Sequence, residues 1–247
     1  MSIFFHTFFD WRQIWSTMRE EVPSGVLNTL LLSALAILFG TLWGMILALG
    51  LVSRSVLLRF PARLYVDVVR GLPPLLTVLV IGEGLPIAGL HPFGRNAYGY
   101  AVMALAVISG AFISEIFRSG IESVERGQME AARSLGMGHL SAMRLVIVPQ
   151  GIRRILPALA NQFVAMVKDS SLVFLLGLTA GQEELFAIAQ DNSSNSGNLS
   201  PFIAAAVIYL IITVPLTHFV NRVDRRLREG RMAPEVHAEE MALAQAG

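Results

Sequence analysis

The sequence predicts an all-α integral membrane fold, and three observations carry that reading. Of 247 residues, 54% are hydrophobic and 15% charged, where a soluble domain has about 25% charged residues. The mean hydropathy is +0.59. The apolar residues are gathered into five runs long enough to cross a bilayer as helices. Such a crossing takes about 20 mostly apolar residues, because a helix satisfies its own backbone hydrogen bonds in lipid. A net charge of +1 argues against a nucleic-acid partner, which selects for a basic face. With no cysteine, disulfides, thiolate metal sites and Cys nucleophiles drop out together.

Residues 1–24 precede the first run. They have no early Lys or Arg, so no cleaved signal is expected. Phe8, Trp11, Ile14, Trp15 and Met18 recur at spacings of three and four, which gives one apolar, aromatic helix face. That face suits either the lipid headgroup region or ordinary packing as an amphipathic helix. The first span is expected over Gly25 to Val52, and Gly40, Gly44 and Ala48 on it would let a neighbouring backbone approach closely. A second span, Leu64 to Ile81, is interrupted by Asp67, Arg70 and the pair Pro73 and Pro74. The third, Ala97 to Phe117, and the fifth, Phe202 to Val220, are clean. The fourth, Ile155 to Leu178, contains Asn161, Gln162, Lys168 and Asp169.

Basic residues orient these five spans. Arg54, Arg59 and Arg63 lie between spans one and two, and Arg118, Arg126, Arg133, Arg144, Arg153 and Arg154 between three and four. Arg222, Arg225, Arg226, Arg228 and Arg231 follow span five, while the other side has only Arg12, Arg19 and Arg95. Because cytoplasmic loops collect Lys and Arg, the N-terminus is expected outside and the C-terminal tail, 223–247, in the cytoplasm. On the outside, GQEELFAIAQ from Gly181 reads as a short helix, and Asp191 to Pro201 as a solvent loop.

The long loop after span three reads GQMEAARSLGMGHLSAMRLVIVPQGIRRILP from Gly127 to Pro157. Gln128 to Leu135 is a good helix former, with Glu130 near its start, and Gly136 stands where a left-handed C-terminal cap needs a glycine. A second helix would follow as far as Pro149. Helix pattern alone leaves two readings: a rigid protruding unit, with Ala131 and Ala132 small enough to seat in a partner's groove, or an amphipathic linker lying on the membrane.

Chemistry is bounded by what is missing. Lys168 is the single lysine and lies in an apolar run, so no GxxxxGK[ST] phosphate loop exists. The histidines, His6, His91, His139, His218 and His237, lack the spacing of a helical zinc site, and no GxSxG elbow occurs. Neither an ATPase nor an intramembrane enzyme is expected, and no cofactor or metal bound by this chain.

The string Glu130-Ala131-Ala132, then Gly136, then Val146-Ile147-Val148-Pro149 resembles the EAA loop of ABC importer permeases. GAFISEIFRSGI from Gly110, VPQGIRRILPAL from Val148, KDSSL from Lys168 and VRGLPPLL from Val69 are similar to motifs of the polar amino acid branch of that family. The resemblance spans about Gly25 to Val220. It implies a permease subunit that docks through the EAA loop, Glu130, Ala131, Ala132, Gly136 and Pro149, onto two cytoplasmic ATPases that hold the ATP and Mg. It also implies a second permease subunit, a copy or a relative, and an extracytoplasmic solute-binding protein, all in or on the lipid of the bacterial inner membrane.

Charges within spans are the candidates for the path, because an ionisable group in hydrocarbon is costly and faces a cavity or a partner. Asp67 with Arg70, and Glu115 with Arg118, are three apart and could pair locally. Lys168 and Asp169 are adjacent and point about 100° apart on a helix, so neither satisfies the other alone. An amino acid carries an ammonium and a carboxylate. Lys168 suits the carboxylate, Asp169 and Glu115 the ammonium, and Ser114, Ser170 and Ser171 add neutral hydrogen bonds, with Arg70 nearby. Against this stands an interhelical salt bridge through Lys168 and Asp169 that only holds the bundle. The alternative function is an autonomous ion-coupled amino acid transporter, which five spans without inverted repeats disfavour.

Overall fold

The computed structural model describes residues 2–246, with the side chains of 4–19 and 23–225. Every element among them is helical. After α1 (Ser2–Phe8) comes α2 (Trp11–Leu51), started by Asp10, whose Oδ1 accepts from the backbone N–H of Arg12 at 3.0 Å and Gln13 at 3.4 Å. That cap and a run of good helix formers carry the chain through Pro23, which removes one donor without ending the helix. The helix is therefore continuous across residue 24, while its apolar span begins at Pro23. The aromatic face is split: Ile14 and Thr17 are buried against the bundle, whereas Trp11 and Trp15 point away, 73% and 62% exposed.

The second apolar run bends sharply. Here α3 (Val56–Gly71) gives way to α4 (Pro74–Leu79), a π turn (Val80–Gly84) and the short α5 (Leu85–Ile87), with 110° between the two halves. The cause is local: a residue before proline is driven out of the helical region, and Leu72 and Pro73 are extended at ψ 143° and 131°. Pro74 then opens the next helix, where its missing N–H costs nothing. Among the described residues four helices are long and apolar enough to cross a membrane, Pro23–Leu51, Ala97–Glu122, His139–Leu176 and Ser200–Arg225, and the bent pair would make a fifth.

At the centre stands α6 (Ala97–Glu122), packed along α2. A Cβ on Gly40 would fall 1.9 Å from Ser109 Oγ, and one on Gly44 2.9 Å from the Gly110 carbonyl oxygen, so the small residues do admit a neighbouring backbone. Leu32, Ala36, Val78, Leu105, Met166 and Val173 join these helices in the core. Past α6 lie α7 (Arg126–Ser134), α8 (His139–Ala142), a π turn (Met143–Ile147), and α9 (Val148–Asp169), continued as a 3-10 turn (Ser170–Leu176) that ends at left-handed Gly177, φ 61°.

Two expectations are corrected here. The helix after Gly138 does not stop at Pro149: the π turn leads into α9, and Pro149 lies in its first turn, where no intrahelical donor is needed. Nor is Asp191 to Pro201 a loop throughout, because α10 (Leu185–Ser196) runs through DNSSNS before Gly197 ends it at φ 63°. Glu184 caps that helix at its start, and serine hydroxyls bond inside it, as Ser196 Oγ does to the Asn192 carbonyl at 2.7 Å. The last helix is α11 (Ser200–Ala246). Of the expected tail, the side chains beyond residue 225 lie outside those described.

Spans three and four touch backbone to backbone at the end that carries α7 and α8. A Cβ on Gly151 would meet the Gly120 carbonyl oxygen at 3.0 Å, and one on Gly120 the Gly151 carbonyl oxygen at 3.2 Å. Beside that contact the Arg154 guanidinium donates to the Ser123 carbonyl, and Ser123 Oγ donates to the Gly120 carbonyl at 2.7 Å.

Candidate translocation path and docking turn

At the opposite end of α9, Lys168 and Ser171 open onto a cavity of about 300 Å³, whose other walls are Phe186 on α10 and Phe202, Ala205, Ala206 and Tyr209 on α11. Among the described residues neither Lys168 nor Asp169 forms an ion pair. Asp169 is half-buried beside it, the last α-helical residue before the 3-10 turn. Ser171 donates to the Lys168 carbonyl at 2.7 Å. A lysine head group, a hydroxyl and aromatic rings line this volume, and among the described residues Lys168 is the one charged residue in its walls.

The other candidates are placed differently. Ser114 and Ser170 are fully buried and donate to carbonyls three residues back, of Ala111 and Val167. Glu115 is held by Arg118, Nη2 to Oε2 at 2.6 Å, and Arg118 also bonds Glu122 on the next turn, a local network on one helix. Asp67 pairs backwards with Arg63 at 3.4 Å, which leaves Arg70 to lie over the Phe112 ring, 5.3 Å from its centroid. The bent second span does reach this region, since Val78 of α4 shares the core with Val173 and Leu176 of the 3-10 turn.

One group in this region was not legible from sequence patterns. Glu184, 1% exposed, accepts from the backbone N–H of Phe186 and Ala187, both at 2.7 Å, and from the Tyr209 hydroxyl at 3.0 Å. It lies outside the spans, between the 3-10 turn and α10. Burial pushes its carboxyl up from 4.5 to about 7, against the pull of those N–H groups and of Tyr209. The stability this adds is full below the ordinary carboxyl range and is lost as pH rises through about 7. The thermal midpoint of the purified subunit should therefore fall between about pH 5 and pH 7.5, a linkage on the order of 3 kcal/mol, and Glu184→Gln should flatten that slope. Equal slopes in both chains would remove Glu184 as its cause.

The turn after α7, the candidate for docking, is built as its glycine requires. Gly136 has φ 85° after α7, with its N–H bonded to the Arg133 carbonyl at 3.0 Å. Leu135 and Leu140 on either side stand 84% and 81% exposed, Leu135 at the end of α7 and Leu140 in α8, where the long apolar helix His139–Leu176 begins. Ala131 is exposed and Ala132 buried, so only the former faces outward. Because α7 begins at Arg126, Glu130 lies in its second turn, one turn deeper than expected, and the helix dipole acts on it less strongly.

Residues 40–229 match the family described as binding-protein-dependent transport system inner membrane component. The Probable glutamine ABC transporter permease protein GlnM of Bacillus subtilis (strain 168) is 37% identical over 205 residues, 83% of this chain and 92% of that protein. The glutamine transport system permease protein GlnP of Escherichia coli (strain K12) is 32% identical over 223 residues, 89% and 98% of the two chains. Among solved structures, an amino acid ABC transporter crystallised with histidines matches with TM-score 0.75 and 38% identity, over 85% of this chain and 96% of that one. The inward-facing MetNI methionine ABC transporter matches with TM-score 0.65 at 19% identity, which speaks for the fold alone, over 82% of this chain and 94% of that one. The chain thus belongs to the family of inner membrane components of binding-protein-dependent transport systems, the multi-pass permease subunits of ABC importers.

Proposed function

We propose that this permease conducts a polar amino acid along a path passing Lys168, Ser171 and Asp169, driven by two cytoplasmic ATPase subunits docked on the turn around Gly136. The observation that carries this reading is the Lys168 cavity, where a cation without an ion-pair partner among the described residues faces aromatic walls in an importer subunit. Arg70, Glu115, Ser114 and Ser170 would lie along the same path away from the Lys168 cavity, whose walls include none of them. The relatives named for glutamine support an amino acid cargo. A second permease subunit, a copy or a relative, completes the path, and a solute-binding protein delivers the cargo from outside. Proteoliposomes holding the permease, ATPase and binding protein should accumulate labelled polar amino acids only with ATP inside. Accumulation driven by an ion gradient without the ATPase would instead establish an autonomous ion-coupled transporter.

The topology proposed is five spans, with the bent pair counted as one, the N-terminus outside and the C-terminus cytoplasmic, as the positive-inside rule requires. Boundaries near 25–52, 64–81, 97–117, 155–178 and 202–220, with 1–24 at the outer interface, fit it. A reporter fused after Arg231 should be cytoplasmic, and one inserted at Gly197 outside. Finding both on one side would sink the five-span arrangement.

A further inference from the structure

Glu184 makes one more bond than a helix cap needs. Two N–H groups of α10 satisfy the role of an N-cap, which the shorter Asp, Asn and Ser fill best. The third bond, from Tyr209 at 3.0 Å, ties the cap to α11. Both residues that the Glu184 Oε2 holds, Phe186 by its backbone N–H and Tyr209 by its hydroxyl, are walls of the Lys168 cavity. The Phe186 ring is braced in turn between Phe174 and Phe202, at centroid distances of 4.8 and 5.3 Å. Thr29 of α2 accepts the Leu185 N–H at 3.1 Å, so the start of α10 is also pinned to the first span.

We propose that Glu184 is a positioning residue for transport, one buried carboxylate that fixes two walls of the Lys168 cavity drawn from two helices. The inference rests on the reading of that cavity as the path. A carboxylate offers acceptors to all three donors, whereas a carboxamide would turn its NH₂ toward one of them. Shortening the side chain by one methylene separates the two roles. Glu184→Asp keeps the N-cap but withdraws the oxygen from Tyr209 by about 1.5 Å, beyond hydrogen-bond reach. Tyr209→Phe removes the same bond from the other side and leaves the cap untouched.

The test is uptake of a mixture of radiolabelled polar amino acids by proteoliposomes of the complete complex, at saturating loaded binding protein, with assembly checked by size exclusion. Glu184→Asp and Tyr209→Phe should each slow uptake about tenfold, the worth of one lost charge-assisted bond. The double variant should be no slower than either single one, because both lose the same interaction. Normal uptake by Glu184→Asp, or additive losses in the double variant, would leave Glu184 a helix cap and overturn the proposal. Lys168→Met in the same assay separates the two levels. If it is impaired while Glu184→Asp and Tyr209→Phe are normal, only this inference fails; if Lys168→Met is normal, the path reading fails and takes the inference with it.

Discussion

Gly136→Val should uncouple the importer, lowering both uptake and substrate-stimulated ATP hydrolysis by on the order of tenfold or more, with expression and membrane insertion near those of the parent chain. The residue sits at φ 85°, a conformation a β-branched side chain strongly resists, and no atom within 4 Å would meet an added Cβ. The loss therefore comes from the backbone: valine would force the turn into another conformation and re-aim Leu135 and Leu140, its exposed apolar tips. Nothing in the spans is touched, so folding is spared. Glu130→Arg should act in the same direction by a smaller factor, because Glu130 is exposed in the second turn of α7, where on the proposed docking its charge would face the ATPase. The discriminating measurement is ATPase activity of the purified complex with saturating binding protein and substrate. Full stimulation in both variants would mean that this turn does not transmit ATP hydrolysis to transport.

Lys168→Met should reduce uptake at least as strongly, about tenfold to a hundredfold, while the subunit still assembles with its ATPase. The side chain supplies the cation in the cavity, and a charge-assisted bond to a carboxylate is worth roughly 1.5–3 kcal/mol. Methionine keeps the apolar stem and removes only the charge. Asp169→Asn should follow with a smaller loss, since the amide keeps one acceptor for an ammonium. If both variants transport with parental kinetics, the two charges serve the bundle and not the cargo.

Most of the fold was legible because lipid imposes a coarse rule. Runs such as Ala97 to Phe117 reappear inside the helices that cross, and Gly136 announced its own left-handed turn because few other residues take that conformation readily. The misreadings share a cause. Asn and Ser at 192–196 favour loops locally, yet the carboxylate of Glu184 and the terminal Gly197 make them helix. Pro149 read as a stop because its sequence neighbours do not reveal the π turn that brings it into a first helical turn. Lys168 stood out as a lone charge in an apolar run. Glu184 did not, since its meaning depends on Tyr209, 25 residues away, and on Thr29, bonded across 156 positions to the neighbouring Leu185.

The glycine contact between α6 and α9 also has a mechanical side. Two helices that meet backbone to backbone at Gly120 and Gly151 cannot be pressed closer there, so any tilt of α9 against α6 would turn about that point, as a beam about a fulcrum. Lys168 lies about 26 Å up the beam, at 1.5 Å per residue. A tilt of about 10° at the fulcrum would carry its end sideways by about 4–5 Å over that length. A displacement too small to part the glycines at one end is, at the other, wider than a hydrogen bond is long.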